Sequence, residues 1–67
     1  MVKIELRVCG TTYPVWGFSD GVRFYPFGPT EYDKSVAIQS AEEYKKGNKD
    51  WKGVPLDRCG PNLDVPN

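Results

Sequence analysis

The chain contains no histidine, which removes the commonest general base and, with it, every Ser-His or Cys-His nucleophile arrangement. Only two cysteines occur, Cys9 and Cys59, and they form no Cys-x-x-Cys pair, so a structural zinc site lacks its ligands. Long hydrophobic runs are missing too: no apolar stretch approaches the ~20 residues that a membrane helix requires. Neither sign of charge is in excess, since nine Lys plus Arg balance nine Asp plus Glu, and no long-range field draws the chain to nucleic acid or to an acidic membrane. Phosphate-cradling loops are absent as well: there is no Gly-x-Gly-x-x-Gly, and Gly28-Pro29-Thr30 lacks the lysine of a Walker loop. No metal ion, cofactor or enzymatic activity is expected.

What remains is a single small domain over residues 1–67, 39% apolar and 27% charged, a composition that folds but supports only a small core. Met1-Val-Lys-Ile-Glu-Leu-Arg-Val alternates apolar and charged residues and lacks both the apolar run and the cleavage site of a signal peptide. The expected location is therefore the cytoplasm, and the two cysteines are expected to be reduced thiols. A bridge between them would contribute about 4 kcal/mol in the loop-entropy model.

Seven of the nine aromatic residues lie between Tyr13 and Tyr32. That is more large apolar surface than a lone hairpin hides on one face. Period-two alternation predicts a strand over 2–9, with Val2, Ile4, Leu6 and Val8 on one side. Further strands are predicted over 13–18 and 22–27, joined by a turn in which Gly21 takes the left-handed conformation. The register that keeps apolar residues together sets Phe18 opposite Val22 and Trp16 opposite Phe24 as the core face. It leaves Tyr13, Val15, Arg23 and Tyr25 on the outer face.

Two prolines, Pro26 and Pro29, end the hairpin, and a helix is predicted over 33–46. Thr30 with Asp33 forms a candidate capping box, while Asp33 alone is an alternative cap. Ala37, Ile38, Ala41 and Tyr44 fall on one stripe, and Gly47 is placed to end the helix. Residues 48–67 read as a mostly irregular tail with a short strand over 54–58, anchored by Trp51 and Leu56, whose first half packs back on the domain. The expected fold is α+β: a three-stranded antiparallel sheet in β-β-β-α order, with one amphipathic helix packed on one face.

Two surface constellations carry the functional reading. Tyr13, Val15, Arg23 and Tyr25, near Phe27, form a Tyr-Arg patch with the composition of partner-binding hot spots, unless the tail covers that face as a second small core. Lys45, Lys46, Lys49 and Lys52 with Trp51 offer phosphate or acidic-partner contacts and a stacking ring. Elsewhere the chemistry is bland: Glu42 and Glu43 diverge around a helix, and Cys59 beside Arg58 is expected to be inert.

The expected function is a non-enzymatic protein-binding module that docks on a larger protein. By analogy of type it is an inhibitor or accessory protein of the kind that phages and mobile elements encode, acting in the host cytoplasm. Over residues 2–47 the order of elements is similar to the arm-binding domains of tyrosine-type integrases and to AP2 domains. That resemblance implies nucleic-acid reading by the sheet, with Arg23, Lys3 and Arg7 as its available cations. A structural or accessory subunit is a third possibility.

Overall fold

A computed structural model describes residues 2–47 and 51–64. Its elements are β1 (Lys3–Arg7), β2 (Val15–Ser19), β3 (Arg23–Gly28), α1 (Glu31–Lys45), β4 (Val54–Pro55) and a 3-10 turn at Leu56–Arg58. The sheet is antiparallel and has four strands in the order β1-β2-β3-β4. The expected α+β class holds, but the sheet gains a strand: the two residues of β4 pair with Arg23 and Phe24.

The β1 alternation is as read from the sequence. Ile4 lies opposite Phe18 and Leu6 opposite Trp16, so the apolar residues of both strands share a face. The β2–β3 hairpin departs from expectation. Phe18 pairs with Tyr25 and Ser19 with Phe24, and a bulge interrupts the ladder between Trp16 and Gly17. The cause lies in the turn. Asp20 accepts hydrogen bonds at Oδ1 from the backbone N–H of Val22 (2.9 Å) and Arg23 (2.8 Å), and its own N–H donates to the Arg23 carbonyl.

These bonds stabilise a longer loop, with Gly21 at φ +94° as predicted and Val22 at the tip, 70% exposed. Val22 is therefore not a core residue. Tyr25 takes the place facing the helix, and Phe24 goes to the opposite side.

Two cores result. On the helix side, Phe18, Tyr25 and Ala41 are joined by Val2, Ile4, Phe27, Tyr44 and Trp51. On the other side, Cys9, Val15 and Phe24 are covered by Val54, Leu56 and Cys59. Each side contains one fully buried large ring, Phe18 or Phe24. Between them lies Gly17, where a Cβ would collide with the Tyr25 carbonyl and the Phe24 ring.

The helix starts two residues earlier than predicted, because Thr30 is the cap. Its Oγ accepts from the Asp33 N–H, and the Asp33 carboxylate accepts from the Thr30 N–H, both at 3.1 Å. Ala37, Ser40 and Ala41 face inward, whereas Ile38, placed on the apolar stripe by its spacing, is exposed. Gly47 at φ +98° follows the last turn, as the left-handed cap requires.

The tail is more ordered than expected. Cys9 and Cys59 are joined by a disulfide with their Cα atoms 4.5 Å apart, so the expectation of two reduced thiols is not met. The Leu56 N–H donates to the Val22 carbonyl, Gly60 to Val8 and Leu63 to Leu6, while Asn62 Oδ1 accepts from the Leu6 N–H. Sequence spacing alone does not bring Cys9 and Cys59 together. The tail does, by returning along the outer edge of β1. No helix among the described residues is long and apolar enough to cross a membrane.

Candidate functional site

The surface expected from Tyr13, Val15, Arg23, Tyr25 and Phe27 is not assembled. Val15 and Tyr25 are 4% and 6% exposed, Val15 beneath the tail and Tyr25 beneath the helix. The four-residue turn between Ser19 and Phe24 moves Tyr25 across the sheet, and the tail closes the face it leaves. Tyr25 stacks on Phe18 with ring centroids 4.7 Å apart, and Phe27 packs between Phe18 and Trp51. Arg23 is exposed, donating to the Gly53 carbonyl. Only Tyr13 and Arg23 of the five present open surface, and they lie at opposite ends of the hairpin strands.

The second expected constellation is divided as well. Lys45 lies 3.5 Å from Glu42 in an ion pair, Lys46 and Lys52 are exposed, and Lys49 falls outside the described residues. Trp51 is not a free stacking platform. It meets Phe18 edge-on at 5.8 Å, with its indole nitrogen buried.

The open apolar surface lies elsewhere. A groove of about 430 Å³ is lined by Leu6, Tyr13, Pro14, Trp16 and Pro29. Each wall has a local cause. Leu6 is placed by its pairing with Trp16, and its backbone is held from outside by Asn62 and Leu63. Tyr13 projects from the β1–β2 connection, where the Thr11 hydroxyl donates to its carbonyl, and remains 50% exposed. Trp16 turns toward the groove at the bulge, where the Lys34 ammonium sits 4.5 Å from its ring centroid. Pro14 and Pro29 give the rims fixed φ angles and no backbone donor. Of the residues singled out in the sequence, Tyr13 alone belongs to this groove. Leu6 belongs to the apolar side of a half-buried strand, Trp16 to the core face, where its burial agrees with expectation, and Pro29 to the end of the hairpin.

A polar cluster lies at the far end of the sheet. Asp20 Oδ2 accepts from the Tyr44 hydroxyl at 2.7 Å and from the Tyr25 hydroxyl at 3.3 Å. Burial disfavours the Asp20 carboxylate, but the hydrogen bonds from Arg23, Tyr44, Val22 and Tyr25 outweigh it and hold its pKa at about 2. The Tyr44 phenol is pushed well above the ordinary tyrosine range, first by its hydrogen bond with Tyr25 and then by Asp20. Every acceptor position of Asp20 in this arrangement is spent on the fold, which ties the hairpin tip to the last turns of α1.

Glu5 and Arg7 form a third group on the tail side, 2.7 Å apart, and Arg7 Nη1 donates to the Gly60 carbonyl. This pair also holds the tail. Among the described residues no group of three or more Cys, Asp or Glu side chains is placed to hold a metal ion. Comparison with protein-family models, with curated proteins and with solved structures finds no match.

Proposed function

We propose that this chain is a small non-enzymatic module that binds a larger protein through the groove of Leu6, Tyr13, Pro14, Trp16 and Pro29. The observation that carries the reading is the groove itself: a depression lined by two prolines, Leu6, the half-exposed Tyr13 and the edge of the buried Trp16, and open to solvent. Exposed aromatic surface on a rigid frame is suited to partner binding, because little side-chain freedom is lost when it is covered. Lys34 beside Trp16 adds one cation, which favours a partner segment that combines apolar side chains with a carboxylate.

Both faces of the sheet are occupied, one by α1 and one by the tail. That leaves the sheet-reading mode of DNA recognition without the bare strand face it needs, and balanced charge adds no support. The cytoplasmic location expected from the N-terminus stands against the Cys9–Cys59 bridge, since cytosolic thiols are kept reduced. The bridge favours an oxidising compartment.

Affinity capture with the immobilised chain tests the proposal. A protein retained by the native chain should be lost with Tyr13→Ala and kept with Tyr32→Ala, a tyrosine more exposed than Tyr13 but away from the groove. Identical capture by all three chains would reject the groove. Tight, salt-sensitive binding to generic DNA would reject the protein-binding reading altogether.

A further inference from the structure

The tail is attached to the sheet by one covalent bond and a short series of backbone contacts, and nearly all of them lie on the side away from the helix. Cys59 is bonded to Cys9. Around it, Leu56, Gly60 and Leu63 donate to Val22, Val8 and Leu6, and Val54 and Leu56 close over Val15 and Phe24. The helix-side core uses none of the residues from Val54 to Asp64. The tail can therefore leave the sheet without removing a side chain from the cluster around Phe18.

The two sulfur-bearing residues differ in access. Cys9 is buried, 6% exposed, whereas Cys59 is half-buried and follows the exposed Arg58, a cation that favours the approach of an anionic thiolate.

We propose that the Cys9–Cys59 disulfide is a redox-sensitive latch that holds the segment Val54–Asp64 closed over Val15 and Phe24, and that a dithiol reductant opens it. One thiolate of the dithiol attacks Cys59 Sγ, forming a mixed disulfide while Cys9 leaves as a thiolate and takes up a proton. The second dithiol sulfur then attacks the mixed bond and releases Cys59, which is protonated in turn. Two electrons pass from the dithiol to the protein, the protein gains two thiols, and the dithiol becomes a cyclic disulfide. With the bond gone, the segment keeps the two-residue β4 pairing, the Arg7 bond to Gly60 and a few isolated backbone hydrogen bonds at Leu56, Gly60 and Leu63, the class of contact that opens locally first.

Leu6 connects the latch to the groove. Its N–H and carbonyl are both held by the tail, at Asn62 and Leu63, while its side chain forms a groove wall. Opening the latch frees the backbone beneath that wall.

Amide hydrogen exchange on the full chain, oxidised and after treatment with dithiothreitol, tests the proposal, with mass spectrometry confirming the gain of two mass units. The expected result is loss of protection at Leu6, Leu56, Gly60 and Leu63 and at the β4-paired start of β3, with protection retained in β2, in the rest of β3 and in α1 and recovered on reoxidation. The Cys9→Ser, Cys59→Ser double variant should reproduce the reduced pattern. Unchanged protection at Gly60 and Leu63 in the fully reduced chain would overturn the latch. So would simultaneous loss of protection throughout the chain, which would make the bond a staple of the whole domain.

Discussion

On the helix side of the sheet, five aromatic rings meet one another: Phe18 touches Tyr25, Phe27, Tyr44 and Trp51 within 6 Å between centroids. On the tail side, Phe24 has no aromatic pair among the described residues, and its cover is two aliphatic residues, a disulfide and backbone hydrogen bonds. The first side is built from packing that side chains supply by themselves. The second depends on a chain segment brought back and fastened. A 67-residue domain has too little apolar surface to fill two cores by packing alone, and here the covalent link makes up the difference on the poorer side.

Substitutions at the two buried phenylalanines probe this contrast most strongly. Phe18→Ala should cost about 3–5 kcal/mol in denaturant unfolding, and more than Phe24→Ala, because it also forfeits the aromatic pairs. Equal losses would mean that the two sides contribute alike. Next, the Cys9→Ser, Cys59→Ser pair should cost about 2–4 kcal/mol while leaving the near-ultraviolet circular dichroism of the Tyr25–Phe18–Trp51 cluster in place. Collapse of that signal would erase the distinction between the sides.

A smaller effect is expected at Asp20, which supports only the helix side. Asp20→Asn should cost about 1.5–3 kcal/mol near neutral pH, since charge-assisted hydrogen bonds are lost. Because the Asp20 pKa is lowered from 3.8 to about 2 in the folded chain, its contribution is present above pH 3.8 and lost as pH falls toward 2. Tyr44, shifted upward, contributes fully below the ordinary tyrosine value, and its share fades as pH rises beyond it. A stability-pH profile should show both limbs in the native chain and no Asp20 limb in Asp20→Asn. The smallest effect, about 1 kcal/mol, is expected for Thr30→Ala, which removes only the cap of α1.

The helix side was also the more legible in the sequence. Alternation in β1 placed Ile4 and Leu6 correctly, Gly21 and Gly47 marked left-handed positions, and the Thr30–Asp33 spacing announced the helix start. The errors share a physical origin. A bulge at Trp16–Gly17 leaves no signature in a period-two pattern, and a carboxylate that bonds the N–H groups two and three residues ahead lengthens a turn that glycine placement alone describes as shorter. One residue of slippage moves every side chain across the sheet. Pattern alone thus places Val22 in the core in place of Tyr25, and Tyr25 on an outer face from which the turn removes it.

The tail side was legible in part, since a short strand over 54–58 and a return of Leu56 onto the outer face were both expected, but its register and its covalent link were not. Its pairing is long-range and short in extent, two residues of β4 and one bond at Cys59, and composition reports neither. The groove was half visible. Tyr13 stood out as an aromatic outside the packed set, but the neighbourhood of Pro14, Trp16 and Pro29 arises only when the bulge turns Trp16 toward the end of the sheet.

Gly17 has a consequence for how this domain can vary. It is the one position whose missing side chain lets Phe24 on one side and the Tyr25 backbone on the other approach the same strand. Even a methyl group there would press on both neighbours at once. A larger residue at 17 therefore becomes tolerable only in company with a smaller one at 24 and a shifted β3. Substitution at these places should be inherited as a set.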